Sequence, residues 1–192
     1  PLSLARGTKA LALFPHPTGE LWLLTELGGN LRLERFSADA LPIGSVPLPE
    51  TTPFGAPLGF DVAADGCTIG YFERTDVPLR RFNVCTETDV DDVTLASAET
   101  GFPFRFLPDG RILAATSKEI VLFLPDGVRQ RAYPGVYALA LDTVTGSFWA
   151  ASPAYPSLRR IDLETGKVLE EFNLYGSAQE IAIFGEPRAI PP

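Results

Sequence analysis

A chain of 192 residues with 45% apolar and 21% charged side chains has the make-up of one globular domain, and 18 prolines with 17 glycines call for many turns. Its formal charge of −8 and its scattered basic residues exclude a phosphate-backbone partner, so no nucleic acid is expected. No apolar run nears the roughly 18 residues that span a bilayer, and no basic-then-apolar signal segment opens the chain. Because the chain opens on Pro1, a leader or larger precursor segment is expected to have preceded it.

In chain order the segments read as short strands separated by turn residues. The stretch ALALFPHPTGELWLLTE (10–26) gives two strands about a turn at Gly19, LRLERFS (31–37) a third, and IGSVPLP (43–49) a weaker fourth. After the proline-spaced LPETTPFGAP the pattern returns in GFDVAADGCTIGYFE (59–73), LRRFNVC (79–85) and DDVTLAS (91–97). It returns again in FRFLPDGRILAATS (104–117), EIVLFLP (119–125) and VRQRAYP (128–134). The last full copy is ALALDTVTGSFWAAS (138–152), LRRIDLE (158–164) and TGKVLEEFNL (165–174), and a lone strand, EIAIFGE (180–186), follows. The turn glycines Gly19, Gly66, Gly110 and Gly146 are 47, 44 and 36 residues apart, near the 40–50 expected of four-stranded repeats. Three residues after each stands a large apolar side chain, Trp22, Ile69, Leu113 or Trp149, and one shared register is inferred from this. No dozen residues keep a 3.6 period without Gly or Pro, so helix is not expected.

These motifs, above all DGCTIGYFE with LRRFNVCT, FRFLPDGRILAAT, RRIDLETGKVLEEFN and EIAIFGE, resemble the NHL/YVTN-type β-propeller repeats of secreted bacterial proteins. The resemblance covers nearly the whole chain and is specific for architecture far more than for function. It implies an all-β fold of four-stranded antiparallel blades: four full blades at about 9–49, 59–97, 103–134 and 136–174, plus a fifth partial blade. The single domain runs over 1–186, with 187–192 as a proline-rich tail. Related propellers close with six or seven blades, and three completions are open. The partial blade forms from 180–186 beside 2–7, or the chain belongs to a larger ring, or Glu180, Ile181, Ala182, Ile183 and Phe184 act as an assembly strand with another chain.

The two cysteines frame one hairpin. If its tip is ERTDVPL with Glu73 opposite Leu79, then Ile69 faces Asn83 and Cys67 faces Cys85. Opposed side chains in an antiparallel ladder lie within disulfide reach, so the pair is expected to staple one blade and to mark an oxidising, extracellular setting. The competing readings are a metal or redox dithiol, which lacks a CxxC and histidine partners, and two reduced core cysteines.

The remaining candidates each have a plainer reading beside the functional one. His16 in FPHPTGE is read as a solvated turn histidine and not a general base. Glu87, Asp89, Asp91 and Asp92 are oxygen-rich enough for calcium but lack the glycine and distal glutamate of a calcium loop. They are read as a solvated acidic loop, and no other cofactor is implied. Thr51 and Thr52 between prolines are candidate O-glycosylation sites, or an unmodified connector. Trp22 and Trp149 are read as packed between blades and not as a sugar-stacking platform. Arg80-Arg81 and Arg159-Arg160 are read as surface ion-pair partners. No GxSxG elbow occurs. The expectation is a secreted, non-catalytic propeller that binds a protein or glycan partner or self-associates through an incomplete blade. A divalent-metal-dependent propeller hydrolase or lyase and a fibre subunit completed by strand exchange are the alternatives.

Overall fold

The computed structural model describes residues 4–16, 18–49, 59–72, 78–95, 100–116, 119–134, 138–142, 146–152 and 157–174. Among them the regular structure is strand, in four separate antiparallel sheets of four. Blade 1 contains β1 (Lys9–Pro15), β2 (Leu21–Leu27), β3 (Asn30–Phe36) and β4 (Pro42–Pro47). Blade 2 contains β5 (Gly59–Val62), β6 (Thr68–Phe72), β7 (Leu79–Asn83) and β8 (Thr88–Val93). Blade 3 contains β9 (Thr100–Phe106), β10 (Ile112–Thr116), β11 (Glu119–Phe123) and β12 (Arg129–Pro134). Blade 4 contains β13 (Ala138–Asp142), β14 (Ser147–Ser152), β15 (Ser157–Asp162) and β16 (Val168–Asn173). Each sheet is a simple meander in which sequence order is spatial order. The first strands lie innermost, with β9 beside both β5 and β13.

The burial pattern explains why the second strands are largely apolar while the fourth alternates poorly. Strand β10, ILAAT, is buried at all five positions because both its faces are covered. Strand β16, VLEEFN, is exposed along nearly its whole length. Three apolar clusters fill the gaps between consecutive sheets. Trp22, Leu24 and Leu33 of blade 1 meet Phe60, Ile69 and Phe82 of blade 2. Phe72, Leu79 and Val93 of blade 2 meet Phe104, Ile112 and Phe123 of blade 3. Leu113, Ile120 and Leu122 of blade 3 meet Phe148, Ala150 and Ile161 of blade 4. Blades 2 and 3 thus each present one face to their predecessor and the other to their successor.

The inferred shared register holds in three blades and slips in the second. In blades 1 and 3 the hairpin closes with the carbonyl of the residue after the glycine, Glu20 or Arg111. In blade 2 it closes on Thr68, two residues past Gly66, so Cys67 is an extra residue. Trp22, Leu113 and Trp149 therefore occupy the face toward the next blade, whereas Ile69 packs back on blade 1. The place equivalent to Trp22 in blade 2 is Gly70, where an added Cβ would lie 2.6 Å from the Phe106 ring of blade 3.

The fourth strand of blade 2 also differs from the sequence reading: it is Thr88–Val93, so Asp89, Asp91 and Asp92 belong to a strand and not to a loop, with Glu87 in the preceding turn. In the N-terminal segment, Arg6 and Gly7 form a turn in which the Thr8 amide donates to the Ala5 carbonyl. The assembly strand Glu180–Phe184, the partial blade at 180–186, the tail 187–192, and Thr51 and Thr52 lie outside the described residues.

Candidate interaction surface

In a meander the β1–β2 and β3–β4 turns of a blade emerge at the same edge, so the equivalent turns of all four blades share one rim. Blades 1 and 2 are joined there by a cluster built on His16. The correction to the sequence reading is plain: His16 is only 9% exposed, not a solvated turn residue. Its ring stacks on Trp22 at 4.0 Å between centroids and an angle of 12°. Nε2–H donates to the Gly66 carbonyl of blade 2, which leaves Nδ1 as the acceptor for the Thr18 hydroxyl at 2.7 Å and the Thr18 amide at 3.3 Å. Both ring nitrogens are engaged, and the proline-flanked turn holds the imidazole as a bridge between blades. Trp22 Nε1 donates to Glu20 at 2.8 Å, and Arg35 grips the same carboxylate through Nε at 3.0 Å and Nη2 at 2.9 Å. Burial pushes the Glu20 carboxyl upward, but the hydrogen bonds from Trp22 and Arg35 and the Arg35 charge outweigh it and hold Glu20 below the ordinary glutamate range.

The Cys67–Cys85 disulfide forms beside this cluster, with Cα atoms 5.3 Å apart. Its pairing is as expected, but the ladder that leads to it is not. Ile69 opposes Phe82 and Thr68 opposes Asn83, one residue away from the inferred register, and the Val84 amide donates to the Cys67 carbonyl. Cys85 consequently sits in the β7–β8 turn, just beyond the strand. Each half-cystine is placed by an Asx side chain two residues earlier. Asp65 Oδ1 accepts from the Cys67 amide at 2.9 Å and the Thr68 amide at 2.8 Å, while Asn83 Oδ1 accepts from the Cys85 and Thr86 amides, both at 3.0 Å. Burial raises the Asp65 carboxyl, and the bonds from Thr68 and Cys67 more than reverse this, leaving it lowered. The repeated D-x-C and N-x-C spacing was the available signal for these two residues.

The acidic run does not converge. Asp92 pairs with Arg80 at 3.1 Å, and Arg81 Nε donates to the Asp91 backbone carbonyl at 2.7 Å. A bulge in β8 lies at Asp91 and Asp92, and with Asp89 they share a shallow pocket with Arg80 and Arg81. Among the described residues no group of three His, Cys, Asp or Glu side chains could hold a metal ion. The basic pairs behave as read: Arg159 meets Glu171 at 2.8 Å and Arg160 meets Glu170 at 2.7 Å, cross-strand pairs on β15 and β16. Blades 3 and 4 are further joined by Arg111, which binds Asp109 at 2.7 Å and Glu164 at 2.6 Å, and by the Tyr133 hydroxyl donating to the Leu163 carbonyl. Burial pushes the Tyr133 phenol up to about 12.

The two tryptophans part company. Trp22 is buried against blade 2, but Trp149, on the equivalent face of blade 4, is only half-buried and stacks on Phe172 at 5.8 Å. Beside them, Phe172 is 51% exposed, with Val168 and Leu169 also exposed on β16. At the other end, blade 1 exposes Leu13, Leu27, Leu41 and Ile43, with Leu13 lying opposite Leu23 on the face away from Trp22 and Leu24. Among the described residues, Val128 is the one exposed large apolar side chain in a central blade. Reading Trp149 as buried core failed because its face has no successor blade among the described residues.

No family model matches the chain, and no curated protein matches it. Solved structures do. The β-propeller domain of Cps50 (Swd1) from Myceliophteria thermophila superposes with a TM-score of 0.64 at 9% identity, covering 91% of this chain and 57% of that one. The fold is a β-propeller. A protein of unknown function from Bacteroides caccae gives 0.59 at 12% identity, covering 88% and 62%. Hydrazine synthase from Kuenenia stuttgartiensis gives 0.60 at 13% identity, covering 84% and 48%. The propeller chain thus spans about half to three-fifths of the length of these structures, and at such identities the likeness concerns fold alone.

Proposed function

We propose that this chain is a non-catalytic binding module of the NHL/YVTN type that works outside the cell and engages a protein partner through its end blades. The observation that carries the reading is where apolar surface stands free: among the described residues, seven of the eight large exposed apolar side chains lie in blades 1 and 4. On the rest of the described surface the charged side chains are largely spent on cross-strand pairs, each worth little and none aimed at a common centre. Exposed apolar surface concentrated in two blades is the kind that a partner covers. The disulfide supports the extracellular placement, since reducing compartments do not keep such bonds.

Photo-crosslinking in the native extracellular milieu tests this, with a benzophenone side chain placed in turn at Leu13, Phe172 and Val128. Protein adducts at the first two positions and none at Val128 are expected. Adducts at no position, or equally at Val128, would overturn the assignment of the end blades.

A further inference from the structure

We infer that the Cys67–Cys85 disulfide is a redox-controlled latch on the rim junction between blades 1 and 2, which opens when a dithiol reductant breaks it. The inference is independent of the end blades, since it concerns a seam between two consecutive blades. The bond can be reached: Cys85 is exposed in the β7–β8 turn, and Cys67 is half-buried in the β5–β6 turn. Hydrogen bonds inside the β5–β6 turn fix its shape, from the Gly66 amide to Ala63, the Ala63 amide to Thr68, and the Cys67 and Thr68 amides to Asp65. They do not tie it to the neighbouring turn. Beyond the Thr68–Asn83 pair of the ladder, that is done by the Val84 amide, which donates to the Cys67 carbonyl, and by the disulfide. With the sulfur bond broken, a single hydrogen bond holds the end of the ladder, where local opening starts. Cys67 directly follows Gly66, whose carbonyl accepts from His16 Nε2, and His16 is stacked on Trp22 at 4.0 Å. Release of this turn is therefore passed through His16 to Trp22 on blade 1. The junction of blades 3 and 4 is made instead by Arg111 on Glu164 at 2.6 Å and by Tyr133 on the Leu163 carbonyl, links that no thiol breaks. Below the rim, Leu24 and Leu33 stay packed on Phe60, Ile69 and Phe82, which confines the opening to the rim. In the step itself the S–S bond is reduced by two electrons to two thiols, at Cys67 and Cys85. The dithiol supplies the electrons and both protons and closes to its own disulfide.

The test follows Trp22 fluorescence and its iodide quenching in a Trp149→Phe chain titrated with dithiothreitol, with thiols counted by Ellman's reagent and the fold followed by circular dichroism. Oxidised, the emission should be blue and shielded, because Trp22 is 1% exposed. Once two thiols appear, it should move to the red and the quenching constant should rise several-fold at unchanged circular dichroism, and reoxidation should restore both. In the same background, His16→Ala should show the red, quenchable emission with the disulfide intact. Emission that stays blue and shielded with two thiols titrated overturns the proposal. So does loss of the circular-dichroism signal together with the emission change, because the bond then holds the whole fold and not one junction. If His16→Ala does not fold, the titration of the parent chain decides alone.

Discussion

Tyr133 illustrates how single side chains join blades that share no strand pairing. It packs edge-on against Phe148 of blade 4 at 4.9 Å, and its hydroxyl donates to the Leu163 carbonyl in the β15–β16 turn. The phenol is therefore raised to about 12 by burial, against an ordinary value near 10. A folded-state pKa raised above the unfolded one means that the unfolded chain sheds its proton first. Stability from this group is intact below about pH 10 and declines as pH rises from there toward 12. Tyr133→Phe should lower stability at neutral pH by about 1 kcal/mol, since a buried carbonyl loses its donor, and should flatten the loss between pH 10 and 12. Denaturant unfolding at several pH values checks both. His16 makes the same point at the other junction, and the sequence hid it: flanking prolines signal a turn but say nothing of the Gly66 carbonyl fifty residues away.

At the scale of the strand and hairpin, much was legible because the repeat has strong punctuation. Turn glycines and apolar runs located most of the sixteen strands among the described residues, and the cysteine pairing followed from their place at the ends of one hairpin. What failed was register. Aligning blades by their glycines misses the single extra residue at Cys67, which shifts the face that each later residue of β6 takes, and counting from an assumed hairpin tip runs one residue out along β6 and β7. The slip has a packing consequence at Gly70, where the other blades carry Trp or Leu and blade 2 instead admits the rings of Phe104 and Phe106. Gly70→Leu is expected to cost roughly 1–3 kcal/mol or more by overpacking, although leucine is the residue at the equivalent place in blade 3. A thermal melt of that variant reads the effect, and an unchanged midpoint would mean that the alignment offered for blade 2 is wrong. The disulfide spans 18 residues of this same blade, a loop whose closure is worth about 3 kcal/mol in the chain-entropy model.

For the molecule as a whole, the sequence announced repeated blades but not what their end surfaces do, because burial of an end face depends on what lies across from it. Trp22 and Trp149 stand at equivalent places in the repeat, yet one is buried and the other half-exposed. That contrast holds the claim that blade 4 ends in an open, adhesive face. The most direct measurement is the fluorescence of Trp149 in a Trp22→Phe chain, with iodide quenching. The emission should be red-shifted and quenchable, and Phe172→Asp, which removes the ring stacked on Trp149, should carry both further. Emission that is blue and shielded in both chains would contradict the open face.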